Sequence, residues 1–568
     1  MSDAPILPRW ASELRDRYLA GEASMFLLHG NVRDLQRWSV GDGPVAWVGL
    51  RGFLEQFLGR TRDIVVCYNV SQGLLFPDRT NERRFQLAID TKRAKVGDEP
   101  LALLPRTPGA VIPLIEELIT DPTHASGVVL DYVETIAPAG DPTFLATEDK
   151  ASLVALQRWA SDPAFLSTDN LVILVTESLT DVSRRVVASP QLQALQIPFP
   201  DDEARVAFLA AEPMDGISLE ISPAQLAKMT AGLSLLQIRG ILRGARQSGD
   251  PITFRTVARR KKAIIEQECA GLVELVDAEH DFSHVGGMEG VKDRLRRVAD
   301  AVKAGHKNRV PMGMIFVGPM GTGKTYVAEA FASESGLTCL KFRNFRDKWV
   351  GSTEANLEKV LDLVEALGYV LLIIDEADRT LGGGESDGGT SSRVIARLKE
   401  FMSNTAHRGR VVMLMMTNRP DKLDTDLKRP GRFDLKIPFF FPETVVEREQ
   451  VLSASARKNQ LKLADGVSFL GAAEATAGFS AAELEAVVLA AGGKASEADR
   501  DVVEQGDVDA AATDVVPSRD VRMLELMEML AVFEASSRSM LPERYRDWTT
   551  EAVLERLDEV RASLGRRL

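Results

Sequence analysis

Cysteine is scarce in this sequence of 568 residues, and long hydrophobic runs are absent from it. The three cysteines, Cys67, Cys269 and Cys339, form no CxxC pair, which argues against both a disulfide framework and a cysteine-based zinc site. No apolar run approaches the roughly 18 residues that a membrane-spanning helix needs. The first ten residues lack a basic segment followed by an apolar block, so they do not resemble a secretory signal. These absences predict a cytoplasmic protein without membrane insertion.

Positive charge is also in deficit, because 69 Lys and Arg face 82 Asp and Glu and the net charge is -13. Such a balance opposes broad contact with phosphate backbones, so nucleic acid is an improbable partner. The sequence has no HExxH motif, which excludes the zinc-protease chemistry of that motif. The 45% hydrophobic and 27% charged content is that of an ordinary folded protein, and the length predicts three or four compact units.

The strongest chemical signal lies in residues 314–325, MIFVGPMGTGKT, where an apolar strand leads into the pattern GxxxxGK[ST]. In such a loop the glycines allow backbone N–H groups to point at phosphate oxygens, the lysine reaches the terminal phosphates and the Ser or Thr hydroxyl binds Mg²⁺. A helix follows, and its positive N-terminal end faces the same anion. The predicted nucleotide contacts are Gly318, Pro319, Met320, Gly321, Thr322, Gly323, Lys324, Thr325 and Tyr326, with Thr325 also a metal ligand.

Two further apolar strands end in polar residues suited to hydrolysis. Residues 370–378, VLLIIDEAD, place Asp375 to hold Mg²⁺ and Glu376 to polarise the attacking water. Residues 411–418, VVMLMMTN, end in Asn418, which could sense the γ-phosphate and the water. Structural capping of the strand end is the alternative explanation for Asn418.

Residues 426–438, DLKRPGRFDLKIP, and 476–488, TAGFSAAELEAVV, resemble the AAA family of ATPases, and the resemblance extends from about residue 281 to the C-terminus. It implies a P-loop NTPase-type α/β module with a small helical lid that binds ATP and Mg²⁺. Arg429 and Arg432 would be arginine fingers that enter the neighbouring subunit's site, and Val285 and Gly286 would contact adenine through their backbone. The implied assembly is a homo-oligomeric ring, which we predict to be a hexamer acting on a protein substrate.

Residues 341–357, KFRNFRDKWVGSTEANL, are similar to the family's central-pore loop. By that resemblance Trp349 and Val350 would grip an extended polypeptide, and the glycine-rich residues 381–394 would form a second pore loop. A tryptophan among basic residues can also belong to a core or stack on nucleic-acid bases, and these alternatives stay open.

The N-terminal half contains a faint repeat of the same pattern. SMFLLHG, GVVLDYVE, LVILVTE, IPFP and TAGLS follow one another in the order of the corresponding C-terminal segments. The loop after Gly30 has no P-loop lysine, Tyr132 stands where Glu376 does, and Ser189 and Leu192 replace the two finger arginines. The sequence therefore predicts a degenerate AAA-like α/β module with an inactive nucleotide site.

Four segments result from these patterns: the degenerate module at 1–245, a connecting helix at 246–280, the large nucleotide-binding subdomain at 281–442, and a helical lid with a C-terminal extension at 443–568. The predicted function is ATP-driven remodelling, unfolding or disassembly of a protein in a ring. A nucleotide-switched scaffold that threads no substrate is the main alternative, and a DNA-directed motor is a weaker one that the acidic charge disfavours.

Overall fold

The computed structural model describes residues 7–39, 45–97, 99–140, 143–189, 191–269, 272–277, 280–342, 353–380, 390–429, 431–517 and 520–565. The chain divides into two compact units. One comprises Met1–Ile264 with Glu354–Ala366, and the other comprises Ile265–Thr353 with Leu367–Leu568. No helix among the described residues is long and apolar enough to cross a membrane.

The N-terminal part of the chain alternates strands and helices. Its strands are β1 (Met25–Gly30), β2 (Leu35–Trp38), β3 (Ala46–Gly49), β4 (Ile64–Asn69), β5 (Gly73–Leu75), β6 (Ser126–Asp131), β7 (Leu171–Val175) and β8 (Leu192–Ile197). Its helices are α1 (Arg9–Leu19), α2 (Leu50–Leu58), α3 (Arg79–Val96), α4 (Pro108–Ile119), α5 (Thr147–Trp159), α6 (Pro163–Leu166), α7 (Arg184–Val187), α8 (Asp202–Ala211), α9 (Pro223–Met229), α10 (Leu235–Ser248) and α11 (Phe254–Glu268).

Six of these strands form one sheet in the order β5-β4-β6-β7-β1-β8, and all pair in parallel except the edge strand β5. Strands β4 and β7 are buried along their whole length. Continuous apolar strands of this kind are expected in a parallel sheet, because helices cover both of its faces.

The C-terminal part repeats the alternation and ends in helices. Its strands are β9 (Val273–Val276), β10 (Gly313–Val317), β11 (Thr338–Phe342), β12 (Val370–Ile374), β13 (Val411–Thr417) and β14 (Phe433–Pro438). Its helices are α12 (Glu289–Lys303), α13 (Lys324–Ser335), α14 (Thr353–Leu367), α15 (Ala377–Thr380), α16 (Thr390–Ser403), α17 (Val445–Lys458), α18 (Leu470–Ala475), α19 (Ala481–Glu497), α20 (Gln505–Asp514), α21 (Val521–Glu534), α22 (Glu543–Arg546) and α23 (Thr550–Gly565).

The second sheet has the order β14-β10-β13-β12-β11-β9, again parallel except for its edge strand β9. Read from the opposite edge, the first sheet runs β8-β1-β7-β6-β4-β5. The strands that the sequence repeat pairs, β1 with β10, β6 with β12 and β7 with β13, therefore occupy the same places. The predicted α/β fold and its internal repeat are confirmed at the level of strand order.

The repeat extends into the helices that follow each sheet. The fourth residue of α8 is the buried Arg205, whose Nε donates to the carbonyl of Ala227 at 2.7 Å. The fourth residue of α17 is the buried Arg448, whose Nε donates to the carbonyl of Ala473 at 2.6 Å. Helices α10 and α19 both begin with a serine capping box. The N-terminal half thus contains a helical lid of its own, which the sequence did not predict.

Two segments differ from the sequence expectation. The stretch 246–280 contains α11 but also β9, because the alternating residues VELV pair antiparallel with the free edge of β11. The C-terminal extension packs on the large subdomain, where the backbone N–H of Ser536 donates to the carbonyl of Lys436 in β14 at 3.1 Å. Helix α21 thereby covers an edge strand that would otherwise expose unpaired backbone groups.

Candidate functional site

The loop between β10 and α13 wraps around the end of the strand, as the P-loop pattern predicts. Gly318, Gly321 and Gly323 all have positive φ angles, of 153°, 78° and 84°. A side chain at Gly318 would lie 2.2 Å from the carbonyl oxygen of Phe439, so only glycine fits there. Gly323 is the N-cap of α13, so the first N–H groups of a 12-residue helix face the loop. This geometry suits an anion with several oxygens.

Lys324 lies inside the loop and is held by oxygen atoms. Its Nζ donates to the carbonyls of Gly318 at 2.9 Å and Pro319 at 2.8 Å, and to Oδ1 of Asn418 at 2.8 Å. Burial lowers the pKa of Lys324 to about 8, although the charges of Asp375 and Asp378 act in the opposite direction. The contact with Asn418 joins the end of β13 to the phosphate loop.

Asp375 and Thr325 form a pair of oxygen donors of the kind that Mg²⁺ prefers. Oγ1 of Thr325 lies 3.5 Å from Oδ2 of Asp375, and Lys341 at the end of β11 makes an ion pair with the same carboxylate oxygen at 2.8 Å. The ammonium group shows that this carboxylate can accept a cation. The donor set therefore fits a magnesium ion bound through one or two protein oxygens and the phosphates of a nucleotide.

Glu376 follows β12 in a left-handed backbone conformation with φ of 45°. Its carboxylate is exposed and pairs with Arg379 at 3.1 Å, and its backbone N–H donates to Oδ1 of Asp375 at 2.9 Å. Adjacent residues at the strand end are thereby turned apart, so Asp375 and Glu376 present their carboxylates separately. That separation is what a metal ligand and a water-polarising base require.

A cavity of about 460 Å³ opens beside the phosphate loop. Twelve of the residues predicted for the nucleotide site line it: Val285, Gly286, Met320, Gly321, Thr322, Gly323, Lys324, Thr325, Tyr326, Asp375, Glu376 and Asn418. Gly318 and Pro319 do not line the cavity, but their carbonyls accept hydrogen bonds from Lys324. The opposite wall comes from α17 and α19 of the lid.

Close backbone packing fixes the lid end of the cavity. A side chain at Gly286 would lie 2.4 Å from the carbonyl oxygen of Gln450 in α17. The N–H of Ala482 donates to the carbonyl of Gly321 at 3.0 Å, which joins the start of α19 to the phosphate loop. A ligand that reshapes the phosphate loop would therefore act directly on the start of α19.

Four residues of this site were missed by sequence reasoning. The His280 ring stacks on Tyr326 with ring centres 3.8 Å apart, and Nζ of Lys458 lies 4.9 Å from the ring centre of Tyr326. Glu485 on α19 accepts from Lys458 at 2.7 Å and lines the cavity with it. Lys341 pairs with Asp375. Lys341 and Glu485 belong to the segments 341–357 and 476–488, but the patterns gave neither of them a role, and only the alternation of β11 could have shown that Lys341 faces the site.

The predicted fingers do not line their own chain's cavity. Arg429 is largely exposed and pairs with Asp426 at 3.1 Å, and Nη1 of Arg432 donates to the carbonyl of Asp426 at 2.8 Å. Both belong to the turn that precedes β14. The predicted pore residues Trp349 and Val350, like residues 381–389 of the second loop, lie outside the described residues.

The equivalent position in the N-terminal sheet is filled by an arginine. Nη1 of Arg33 pairs with Asp131 at 2.8 Å and its Nε with Glu177 at 3.4 Å, while its guanidinium lies 3.7 Å from the ring centre of Tyr132. Burial lowers the pKa of Arg33, but the hydrogen bond and charge of Asp131 outweigh it and the net shift is upward. Tyr132 has φ of 56°, close to that of its counterpart Glu376. A fixed cation thus occupies the ends of β6 and β7.

The next residue closes the same site toward the lid. Asp34 is buried and accepts from the backbone N–H groups of Leu235 at 2.9 Å and Leu236 at 3.0 Å, at the start of α10. A carboxylate therefore takes the anion position at a helix N-terminus. Burial raises the pKa of Asp34 against the effect of these hydrogen bonds. The chain's own side chains satisfy the groups that would otherwise bind a ligand.

Three family models match the chain. Residues 314–441 match the ATPase family associated with various cellular activities (AAA). Residues 2–198 match the N-terminal Rossmann-like domain of an AAA+ chaperone family, and residues 203–270 match the second helical domain of that family. These segments correspond to five of the six strands of the second sheet, to the first sheet, and to the helices α8–α11 that follow the first sheet.

Curated relatives match in part. The Cell division cycle protein 48 homolog of Archaeoglobus fulgidus is 28% identical over 59% of this chain and 49% of the relative. The proteasome-activating nucleotidase of Methanocella arvoryzae is 34% identical over 44% of this chain and 63% of the relative. The ATP-dependent zinc metalloprotease FtsH of Magnetococcus marinus is 32% identical over 44% of this chain and 38% of the relative. The chain thus spans less than two thirds of each of these relatives.

Proposed function

We propose that this protein couples ATP hydrolysis to the remodelling of a protein substrate within a homo-oligomeric ring. The matches of residues 314–441 to the AAA ATPase family, and of residues 2–198 and 203–270 to two domains of an AAA+ chaperone family, support this proposal. The observation that carries the proposal is the single cavity wall that brings the phosphate loop, Asp375, Glu376 and Asn418 together.

The phosphate loop would bind the nucleotide. The N–H groups at the start of α13 and the Lys324 ammonium would hold the phosphates, and Val285 and Gly286 would contact the base beside Tyr326. On binding, the Lys324 Nζ would exchange carbonyl oxygens of the loop for phosphate oxygens, which are stronger partners because they are charged.

Thr325 and Asp375 would hold Mg²⁺, and the bound ion would neutralise phosphate charge. Lys341 would then release Asp375, since both cations compete for one carboxylate. Glu376 would accept a proton from the attacking water, and Asn418 would orient that water or the terminal phosphate. The ion pair with Arg379 must open for Glu376 to reach the water.

Arg429 and Arg432 would act on the site of a neighbouring subunit. Neither lines its own chain's cavity, and Arg429 is 73% exposed, which is compatible with a partner outside the chain. An arginine finger contributes on the order of 10³- to 10⁵-fold in rate, so hydrolysis would depend on ring assembly, in our proposal a hexamer. Trp349 and Val350 would contact the substrate polypeptide.

The N-terminal module would bind no nucleotide. Arg33 occupies the place where a nucleotide would need the metal ion and a phosphate-binding lysine. Asp34 accepts hydrogen bonds from the N-terminus of α10, which faces the same site. A nucleotide would have to displace both a cation and an anion that already have partners. We propose that this half serves assembly or substrate docking.

A trap experiment tests the nucleotide and substrate assignments together. Glu376→Gln should retain ATP without cleaving it and, in that state, bind a fluorescently labelled unfolded polypeptide such as casein. Lys324→Ala should bind neither nucleotide nor polypeptide, and the full chain should bind no more than one nucleotide per subunit. The measurements are nucleotide stoichiometry by filtration and polypeptide binding by fluorescence anisotropy.

Adding Trp349→Ala to the Glu376→Gln trap separates threading from the scaffold alternative. The combined variant should keep its ATP and lose the polypeptide. Polypeptide binding that survives the loss of Trp349, or that never depends on ATP, would argue for a nucleotide-switched scaffold. Two nucleotides per subunit would refute the inactive N-terminal site.

A further inference from the structure

One largely buried carboxylate lies between two lysines that flank the turn of Arg429 and Arg432. Glu534, the last residue of α21, pairs with Nζ of Lys428 at 2.6 Å and with Nζ of Lys436 at 2.7 Å. Lys428 immediately precedes Arg429, and Lys436 lies in β14 four residues after Arg432. The carboxylate therefore joins the two ends of the turn.

The three side chains of this cluster are shielded from water. Only 9% of the Glu534 side chain is exposed, with 14% for Lys428 and 22% for Lys436. Charge-assisted hydrogen bonds in such surroundings are short and directional. Removing one partner of a buried ion pair leaves the others with an uncompensated charge, so they are expected to move toward water.

Helix α21 is itself fixed to the strand that follows the turn. The N–H of Ser536 donates to the Lys436 carbonyl at 3.1 Å, and the N–H of Lys436 donates to Oγ of Ser536 at 2.8 Å. These bonds set the distance between the end of α21 and β14. Glu534 is consequently presented to both lysines from a fixed place, and the C-terminal segment acts as a support for the turn.

The other side of the turn has a separate support. Lys399 on α16 pairs with Asp424 at 2.7 Å and lies 3.6 Å from Asp426, and Asp426 holds both arginines. Asp426 thus restrains the arginines directly, whereas Glu534 restrains the two chain segments on which the turn is mounted. The arginines themselves make no contact with Glu534 among the interactions of the described residues.

We propose that Glu534 is a positioning residue for the arginine turn, through which the C-terminal segment 520–565 sets the rate of hydrolysis at the neighbouring subunit's site. The inference rests on the proposed function of Arg429 and Arg432. An arginine finger works only when its guanidinium reaches, with correct geometry, the charge that develops on the phosphate in the transition state. A small displacement of the turn should therefore lower the hydrolysis rate strongly. Nucleotide binding in the chain's own cavity, which lacks Glu534, should be independent of it.

Glu534→Gln tests the inference in the full-length protein because it keeps the shape and removes the charge. We expect kcat to fall at least tenfold while the dissociation constant for a fluorescent ATP analogue stays within twofold. Glu525→Gln is the matched control, since Glu525 lies on the same helix and pairs with Arg556 within the extension. That partly exposed pair contributes little, so the control should leave both quantities unchanged.

Epistasis separates positioning from general support of the fold. In a protein that already carries Arg429→Ala and Arg432→Ala, Glu534→Gln should lower the residual rate no further. An additional loss in that background, or an unchanged kcat in the single variant, would overturn the inference. If Glu534→Gln does not fold, Lys428→Gln breaks the same ion pair from the side of the turn and should give the same loss of kcat. Wild-type turnover of Lys428→Gln would overturn the proposal.

Failure of the proposed finger role can be distinguished from failure of the positioning role of Glu534. Full turnover in the Arg429→Ala, Arg432→Ala protein would remove the finger role itself, whatever Glu534→Gln does. Loss of turnover in that protein together with wild-type kcat in Glu534→Gln would leave the fingers in place and reject only the positioning role.

Discussion

Burial brings the pKa of Lys324 to about 8, so the charge of this side chain changes within the range of ordinary assays. Phosphates bind the ammonium form. As the pH rises through 8 the free protein loses this proton, and nucleotide binding must take it up again. Burial raises the pKa of the neighbouring Tyr326 above its ordinary value, so that side chain stays neutral over this range.

We therefore predict that ATP affinity falls about 20-fold between pH 7.5 and 9.5, as a group with a pKa of about 8 loses most of its proton. Lys324→Arg is the matched control, because arginine stays charged and the γ-phosphate is already ionised. Its affinity should be lower at neutral pH but independent of pH. Binding isotherms at five pH values measure this. A wild-type affinity that does not change with pH would contradict the account of Lys324.

Some residues of the site could be predicted from the sequence, and others could not. Three apolar-strand patterns predicted Lys324, Asp375 and Asn418, and the structure brings them to one cavity because each comes shortly after a buried parallel strand whose carboxyl end lies at the same edge. Arg33, Asp34 and Lys341 were not predicted as site residues. Their roles depend on which partner they meet in space, and a single arginine or aspartate in a loop carries no pattern that reports this.

At the scale of elements, one of the contacts that join the lid to the large subdomain is the close approach of Gly286 to α17. An alanine Cβ at Gly286 would lie 2.4 Å from the Gln450 carbonyl oxygen and 2.6 Å from Cα of Val451. Both are backbone atoms, so α17 has to shift as a whole. The same helix provides a wall of the cavity, and the shift should therefore affect nucleotide binding as well as stability.

Gly286→Ala is predicted to destabilise the protein by about 1–3 kcal/mol through overpacking and to weaken ATP binding. Gly290→Ala is the matched control. Its Cβ would meet only the Ser539 carbonyl oxygen at an ordinary 3.7 Å, and alanine favours the first turn of α12. Thermal unfolding with and without ATP measures both effects. Equal midpoints for Gly286→Ala and wild type would show that this packing does not constrain the joint.

Elements with long apolar or amphipathic patterns could be predicted from the sequence. A very short strand, and packing between segments far apart in the chain, could not. The strands β10, β12 and β13 are continuous apolar runs that any parallel sheet would bury. The four residues of β9 were included in a connecting helix, since so short an alternation is ambiguous until the edge of β11 is present. The packing of α21 on β14 joins residues 100 positions apart, which no local pattern reveals.

At the scale of the whole molecule, one chain carries two modules of equal strand order and unequal chemistry. In the first, side chains of the protein itself satisfy the ligand positions. In the second, Lys324, Asp375 and Asn418 line a cavity of about 460 Å³, whereas the cavity beside Arg33 and Asp131 in the first measures about 200 Å³. We therefore expect one hydrolysing site per chain, completed by arginines of the next chain, and an N-terminal module that does not change with nucleotide.

Complementation between two inactive variants tests this central claim most directly. Glu376→Gln lacks the base but keeps its arginines, and the Arg429→Ala, Arg432→Ala protein lacks the arginines but keeps its base. Each alone should have turnover reduced by at least 100-fold, consistent with the usual contribution of such groups. Mixed after dissociation and reassembly, they should recover a substantial part of wild-type ATPase activity, because arginines of one variant reach intact sites of the other. A mixture as inactive as its components, or full activity of the double arginine variant alone, would contradict the account.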